Sequence, residues 1–348
     1  MINTEKKLAI YMDGALDTDY GKMGLGVMRY SPNPISCVID TKYRGMTVRE
    51  AIGQPFDYSI VASIEEAYGL GSEVLVLGIA PSGGKFPDSW DPPITNALGL
   101  GMSLINGLHD DLNARYGHLL RANAGQLIWD VRKPQKNYSI ASAKAAELNN
   151  VRTLLVGTDM AAGKMTTGIE LYRWFKDHGY SADFLATGQI GMVVSGKGIP
   201  LDAIKVDQAC GAVEDLVLSA REAEFVFIEG QGSLLHPGST ATLPLMRGSC
   251  ANHLILCHRA NMDHLFDQPK IKMPPLKEFI ALNEALTGVC GSLTKARCAG
   301  VALNTFGMPE PAARKKIEDI EAETGLPCTD VVRYGADKLC HAILKNQG

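Results

Sequence analysis

Residues 157–167 read GTDMAAGKMTT. An apolar run, VRTLLV, leads into this glycine-rich stretch, and a segment with helical spacing, KMTTGIELYRWFKDHG, follows from Lys164. Strand, turn and helix in that order aim successive backbone N–H groups at one point. The positive end of the helix dipole adds to them. Gly157, Thr158, Asp159, Gly163 and Lys164 therefore read as a phosphate-binding loop, with the lysine reaching the outer phosphate oxygens. A hydroxyl that ligates magnesium belongs directly after such a lysine. Here that position is Met165, and Thr166 and Thr167 come only afterwards. A diphosphate with no reactive γ-phosphate needs magnesium less. Thr166 or Thr167 restores the ligand if the helix start is shifted.

Outward from this loop, short apolar runs alternate with helical patterns along the whole chain, the pattern of parallel sheets covered by helices. KLAIYMDGA, ISCVID, SEVLVLGIAPSGG and GQLIWDVR read as strands of a first block, and ITNALGLGMSLINGLHDDLN as one helix. VRTLLVGTD, SADFLAT, EFVFIEGQGS, ANHLILCH and CAGVALNT read as strands of a second. LFDQPKIKMPPLKEF reads as an ordered, proline-rich surface loop. The expected fold is two three-layer α/β domains: residues 1–135, a polar connection over 136–150, and a P-loop NTPase-like domain over 151–348.

Composition narrows the function classes. The chain has 348 residues, 46% hydrophobic and 21% charged, with a net charge of −4. That balance argues against a nucleic-acid or anionic-membrane binder. No apolar run reaches the length of a membrane span. Eight scattered cysteines form no C-x-x-C pair, and no secretory pattern opens the chain, which reads as a reduced, cytoplasmic protein. Cys250, His253, Cys257 and His258 match no structural zinc spacing and read as parts of a buried strand, so no metal site is expected. A homo-oligomer is expected on general grounds.

Other strand ends supply further candidates. Glu229 ends FVFIE, where an acid of the Walker-B type belongs, and Gly230 and Gly232 let a ligand approach the backbone. His236 follows in the same loop as a base that works near neutral pH. Gly232 and Ser233 offer N–H groups to an oxyanion. Asn304 closes GVALN and either contacts a base or caps the next turn. Lys22, Arg29 and Arg247 are cations suited to substrate carboxylates, and GIAPSGG is a candidate anion nest.

The five-residue spacing between Gly157 and Gly163 resembles the loop of the dethiobiotin-synthetase and nitrogenase-iron-protein-like branch of P-loop proteins. Taken with YGKMGLGVMRY, GIAPSGG and IEGQGSLLHPG, the chain resembles the DgcN-like D-glutamate N-acetyltransferase family over about residues 8 to 340. The resemblance implies a Rossmann-like N-terminal domain. It also implies acetyl transfer from acetyl-CoA to the amino group of D-glutamate, in D-amino-acid catabolism. The phosphate loop would then hold coenzyme A as cosubstrate, and Glu229 or His236 would take the amine proton. Two other readings compete: a magnesium-ATP-dependent ligase of the dethiobiotin-synthetase type acting on a small carboxylate, and a nucleotide-responsive regulatory protein.

Overall fold

The computed structural model describes residues 2–81, 84–121, 125–134, 136–266 and 268–345. The chain forms two compact units, Met1–Gln135 with Gln189–Ala203, and Lys136–Gly188 with Ile204–Gly348.

The first unit runs β1 (Leu8–Tyr11), α1 (Lys22–Tyr30), β2 (Ile35–Ile39), α2 (Val48–Ile52), β3 (Ile60–Val61), α3 (Ile64–Gly69), β4 (Val74–Leu77), α4 (Asp91–Leu100), β5 (Ser103–Asn106), α5 (Leu112–Tyr116) and β6 (Ile128–Asp130). The strands pair in parallel in the order β3-β2-β1-β4-β5-β6. That is the doubly wound Rossmann order, with its reversal between β1 and β4. Sheets of this kind are covered on both faces, so their strands carry unbroken apolar runs. Leu8, Ala9 and Ile10 of β1 are accordingly buried, as are Val74 to Leu77 of β4. Two glycines seat α1 on this reversal. Gly24 N–H donates to Gly78 O at 2.7 Å, and a Cβ on Gly24 would meet Met12 Sδ at 2.3 Å.

The single helix expected over ITNALGLGMSLINGLHDDLN is not formed. Gly101, at φ 95°, ends α4, and Ser103–Asn106 is a fully buried strand. Helical spacing of apolar residues and an unbroken buried strand are hard to tell apart over so short a run.

The second unit contains β7 (Val151–Gly157), α6 (Lys164–Asp177) and β8 (Ala182–Leu185). The chain then contributes α7 (Gln189–Ser195) to the first unit. It returns with α8 (Val206–Ser219), β9 (Phe225–Ile228), α9 (Thr242–Ser249), β10 (His253–Arg259), β11 (His264–Leu265), β12 (Gln268–Lys272), α10 (Leu276–Gly288), β13 (Arg297–Asn304), α11 (Glu310–Thr324), β14 (Cys328–Thr329) and α12 (Asp337–Lys345). The main sheet is parallel, in the order β14-β13-β10-β7-β9-β8. The strands on either side of β7 come later in the chain than β8, so connections leave β7 and its neighbours in opposite directions. Ligands of open α/β sheets bind at such a reversal, beyond the carboxyl ends of the strands.

The stretch expected as a connection, residues 136–150, is packed onto this unit. Ser142 and Lys144 N–H groups donate to the buried Glu214 carboxylate at 3.0 and 2.7 Å. The fully buried Arg152 guanidinium donates to the carbonyls of Leu148, Asn150 and Cys250. It therefore anchors the start of β7 to the residues before β10. The proline-rich stretch expected as a surface loop instead contains the antiparallel β11–β12 pair and the start of α10. Under α6, Phe175 packs on Phe225 and Phe227 with ring centroids 4.3 and 5.1 Å apart, which sets the helix that follows the loop against β9. All eight cysteines are free. Among the described residues no helix is long and apolar enough to cross a membrane.

Candidate functional site

The loop quoted first leaves the carboxyl end of β7 and enters α6 through Gly163, at φ 102°. Only glycine adopts that conformation without strain. Lys164 opens α6 and is buried. Its Nζ lies over its own loop and donates to Asp159 O at 2.7 Å and Met160 O at 3.0 Å. Gly157 leaves room for it, since a Cβ there would stand 2.9 Å from that Nζ. Gly230, leaving β9, is under a similar demand: a Cβ would lie 1.6 Å from Leu155 O.

Burial lowers the Lys164 pKa to about 8, against the opposing pull of Cys257, Asp159 and Glu229. The unliganded lysine therefore loses its proton as pH rises through about 8, well below the usual lysine range. A bound anion holds the charged form. Affinity for inorganic diphosphate is thus expected to be flat below pH 8 and to fall about tenfold per pH unit above it, by linkage. Calorimetric titration in wild-type protein between pH 7 and 9.5 checks this; a flat profile would remove Lys164 from anion binding.

The rest of the loop is tied down by contacts distant in sequence. Asp159 is buried, and both its carboxylate oxygens accept backbone N–H groups, Met160 at 2.6 Å and Phe266 at 2.9 Å. Thr158 is buried, its hydroxyl 2.9 Å from His258 Nδ1. Ser233, also buried, donates its hydroxyl to Thr158 O at 2.9 Å. Thr167 faces the interior and bonds the buried Cys257 thiol, which burial pushes up to about 11. Met165 and Thr166 are half-buried on the first turn of α6.

Glu229 follows β9 and is buried. Its Oε2 accepts from Thr187 N at 2.8 Å and Gly188 N at 3.1 Å, so it holds the segment leaving β8. Gln231 Nε2 donates to Thr187 O and strengthens that tie. His236 is half-buried, and its Nδ1 accepts from Gly238 N at 3.1 Å. That bond places the proton of the neutral ring on Nε2. Gly232, at φ 69°, lies in the same turn, and a Cβ there would meet Ser239 Oγ at 1.8 Å.

The β7 and β9 loops therefore come together, with Gly157 to Lys164, Glu229, Gly232, Ser233 and His236 in one connected region. Asn304 sits two strands away, at the end of β13. Its Oδ1 accepts Phe306 N at 3.0 Å, which makes it a turn cap. Arg247 lies elsewhere: it is exposed in the last turn of α9, just before β10 begins, toward the amino ends of the strands and away from the loop at their carboxyl ends. Lys22 and Arg29 belong to the first unit and occupy opposite ends of α1. Lys22 is exposed beside Asp19, and Arg29 reaches Gln54 and the Phe56 ring. The two do not converge on one point. In GIAPSGG, Ser82 and Gly83 lie outside the described residues.

Sequence reasoning placed His258 in a buried strand but missed its part in the phosphate loop. It is a buried imidazole whose pKa burial lowers to about 4, and it supports the phosphate loop through Thr158. Its place in the sequence gave a signal, since His258 ends the apolar run of β10 and so stands beside the carboxyl end of β7.

Residues 139–340 match a P-loop domain described as a domain of unknown function, DUF1611_C. Residues 41–134 match a Rossmann-like domain described in the same way, DUF1611_N. A protein of a Pseudoalteromonas species named D-glutamate N-acetyltransferase is 33% identical over 306 residues, 87% of this chain and 89% of that one. One of the same name from Tritonibacter scottomollicae is 34% identical over 284 residues, 81% of this chain and 84% of that one. The crystal structure of a DUF1611 family protein from Anabaena variabilis is 46% identical, with a TM-score of 0.94 over 98% of this chain and 100% of that one. With both of its domains matched and these relatives aligned along most of its length, the chain belongs to the DUF1611 family, which joins a Rossmann-like domain to a P-loop domain.

Proposed function

We propose that this protein is an acyltransferase that moves acetyl from acetyl-CoA to the amino group of D-glutamate, with the phosphate loop holding coenzyme A by its phosphates. The observation that carries the reading is the loop itself. Gly163 and Lys164 keep the means of gripping phosphate, while Met165 stands where the magnesium hydroxyl of a γ-phosphoryl transferase belongs. Asp159, the residue that favours an ATP-dependent ligase, instead has both oxygens on backbone N–H groups. The names of the two curated relatives supply the acyl group and its acceptor.

In the reaction, the free amine attacks the thioester carbonyl, a C–N bond forms, the C–S bond breaks and the coenzyme A thiolate leaves. The amine nitrogen must lose a proton. We assign its removal to Glu229, whose charge reaches Lys164. His236 presents Nε2–H when neutral, so its first task is to donate a hydrogen bond to the developing oxyanion. A thiol-release assay with acetyl-CoA and a panel of D- and L-amino acids tests the reading. Release with D-glutamate well above the other amino acids is expected; release with none of them would discard it. Placement in catabolism, in the cytoplasm and in a homo-oligomer belongs to the same proposal.

A further inference from the structure

Three large apolar side chains are exposed beyond the ends of three adjacent strands: one on the loop after β7, one in the β11–β12 turn that follows β10, and one on the loop after β13. They are Met160, Phe266 and Phe306, at 48%, 60% and 75% exposure. Phe266 and Phe306 line one cavity of about 570 Å³, together with Arg259, Asn261, Gly307 and Met308. A volume of that order is the size of a small-molecule site.

The cavity wall is built rather than loose. Phe266 N–H is fixed by Asp159 of the phosphate loop, and Phe306 N–H by Asn304. The Arg259 guanidinium lies over the Phe266 ring, 5.7 Å from its centroid. Asn304 O accepts Ala260 N, which locks together the ends of β10 and β13. Exposed aromatic rings beside a cation suit a planar, electron-rich ring that carries phosphate.

We infer that this cavity is an adenine subsite, with the base stacked on Phe266 and Phe306 while its diphosphate lies on the Gly163–Lys164 turn. Distance supports the pairing. Neighbouring strands stand about 4.8 Å apart, so the cavity begins one to two strands from the loop, a gap that a ribose spans. Asn304 then serves the base indirectly, by holding the Phe306 backbone. The inference rests on the phosphate loop's proposed role but adds what that reading lacks, the place and chemistry of the base.

The test is calorimetric titration of the full chain with 3′,5′-ADP, 5′-ADP and inorganic diphosphate. It uses wild type, Phe266→Ala, Phe306→Ala and the conservative Phe306→Trp. Each alanine variant is expected to bind 3′,5′-ADP about tenfold more weakly, from the loss of one stacking face, and diphosphate as wild type does. Phe306→Trp is expected to retain affinity and to show tryptophan quenching on addition of 3′,5′-ADP. Circular dichroism confirms that the variants are folded. Tighter binding of 5′-ADP than of 3′,5′-ADP, with the same losses in the alanine variants, supports the subsite, since of the two only 5′-ADP carries the diphosphate assigned to the turn. Wild-type nucleotide affinity in both folded alanine variants overturns the subsite and leaves the loop's role standing. Diphosphate binding without any binding of adenine nucleotides also overturns the subsite alone. If wild type binds neither diphosphate nor nucleotide, the phosphate loop's role falls as well.

Discussion

Replacing Lys164 by alanine is expected to weaken acetyl-CoA binding about 100-fold while leaving the protein folded. A hydrogen bond between an ammonium and a phosphate contributes about 1.5–3 kcal/mol, or roughly 10- to 150-fold in affinity. Nothing comparable is lost from the fold. Burial lowers the Lys164 pKa from 10.5 to about 8, so at neutral pH its cation is less favourable in the folded chain than in the unfolded one. That unfavourable contribution is present below pH 8 and is relieved as pH rises toward the unfolded value. Alanine removes it at every pH. The two carbonyls that Lys164 contacts, Asp159 O and Met160 O, lie in a loop that Asp159 also holds by its side chain. Steady-state kinetics against acetyl-CoA, with a melting curve, makes the check. A large rise in KM with kcat preserved is the expected split. Wild-type affinity in Lys164→Ala would sink the phosphate half of the proposed function.

Glu229→Ala and Glu229→Gln are expected to part company. Alanine leaves the buried Thr187 and Gly188 N–H groups without their carboxylate. An unsatisfied buried donor costs about 1–3 kcal/mol, so the pair costs about 2–6 kcal/mol. In a domain near 200 residues that lowers Tm by roughly 5 to 20 °C. Glutamine keeps a carbonyl oxygen for both donors and is expected to melt within a few degrees of wild type. It carries no charge to take up a proton, so its turnover is expected to fall at least about 100-fold, the low end for general base catalysis. A folded Glu229→Gln enzyme with undiminished turnover would make Glu229 an anchor of the β8 segment only. The proton acceptor would then lie elsewhere, and undiminished turnover in His236→Ala would remove it as the oxyanion donor.

Much of the fold was legible because parallel strands advertise themselves. LLV, FVFI and LILC are unbroken apolar runs, and each lies in a central strand of the second sheet. The loop after VRTLLVG was legible for the same reason, since its glycines and lysine stand in register with a strand and a helix. MSLIN was misread because a run of five buried residues fits a buried helix as well as a strand. The β11–β12 pair was hidden by its prolines. Helices α1, α7, α9 and α10 were not read from sequence at all. Of the candidate site residues, those on the β7 and β9 loops come together. Arg247 does not join them, because α9 runs from the carboxyl-end loop of β9 back to the start of β10 and carries it to the opposite end of the strands.

The sequence by itself determined the two α/β units, the strand-to-helix phosphate loop and the absence of a hydroxyl directly after its lysine. These depend on residues adjacent in the chain, where spacing dictates geometry. Only the tertiary structure decided what the individual side chains do. Asp159 finds Phe266 107 residues away, Thr158 finds His258 100 residues away, and Ser233 reaches Thr158 across 75. Partners at such separations are set by which strands lie side by side, and strand order is a property of the folded sheet.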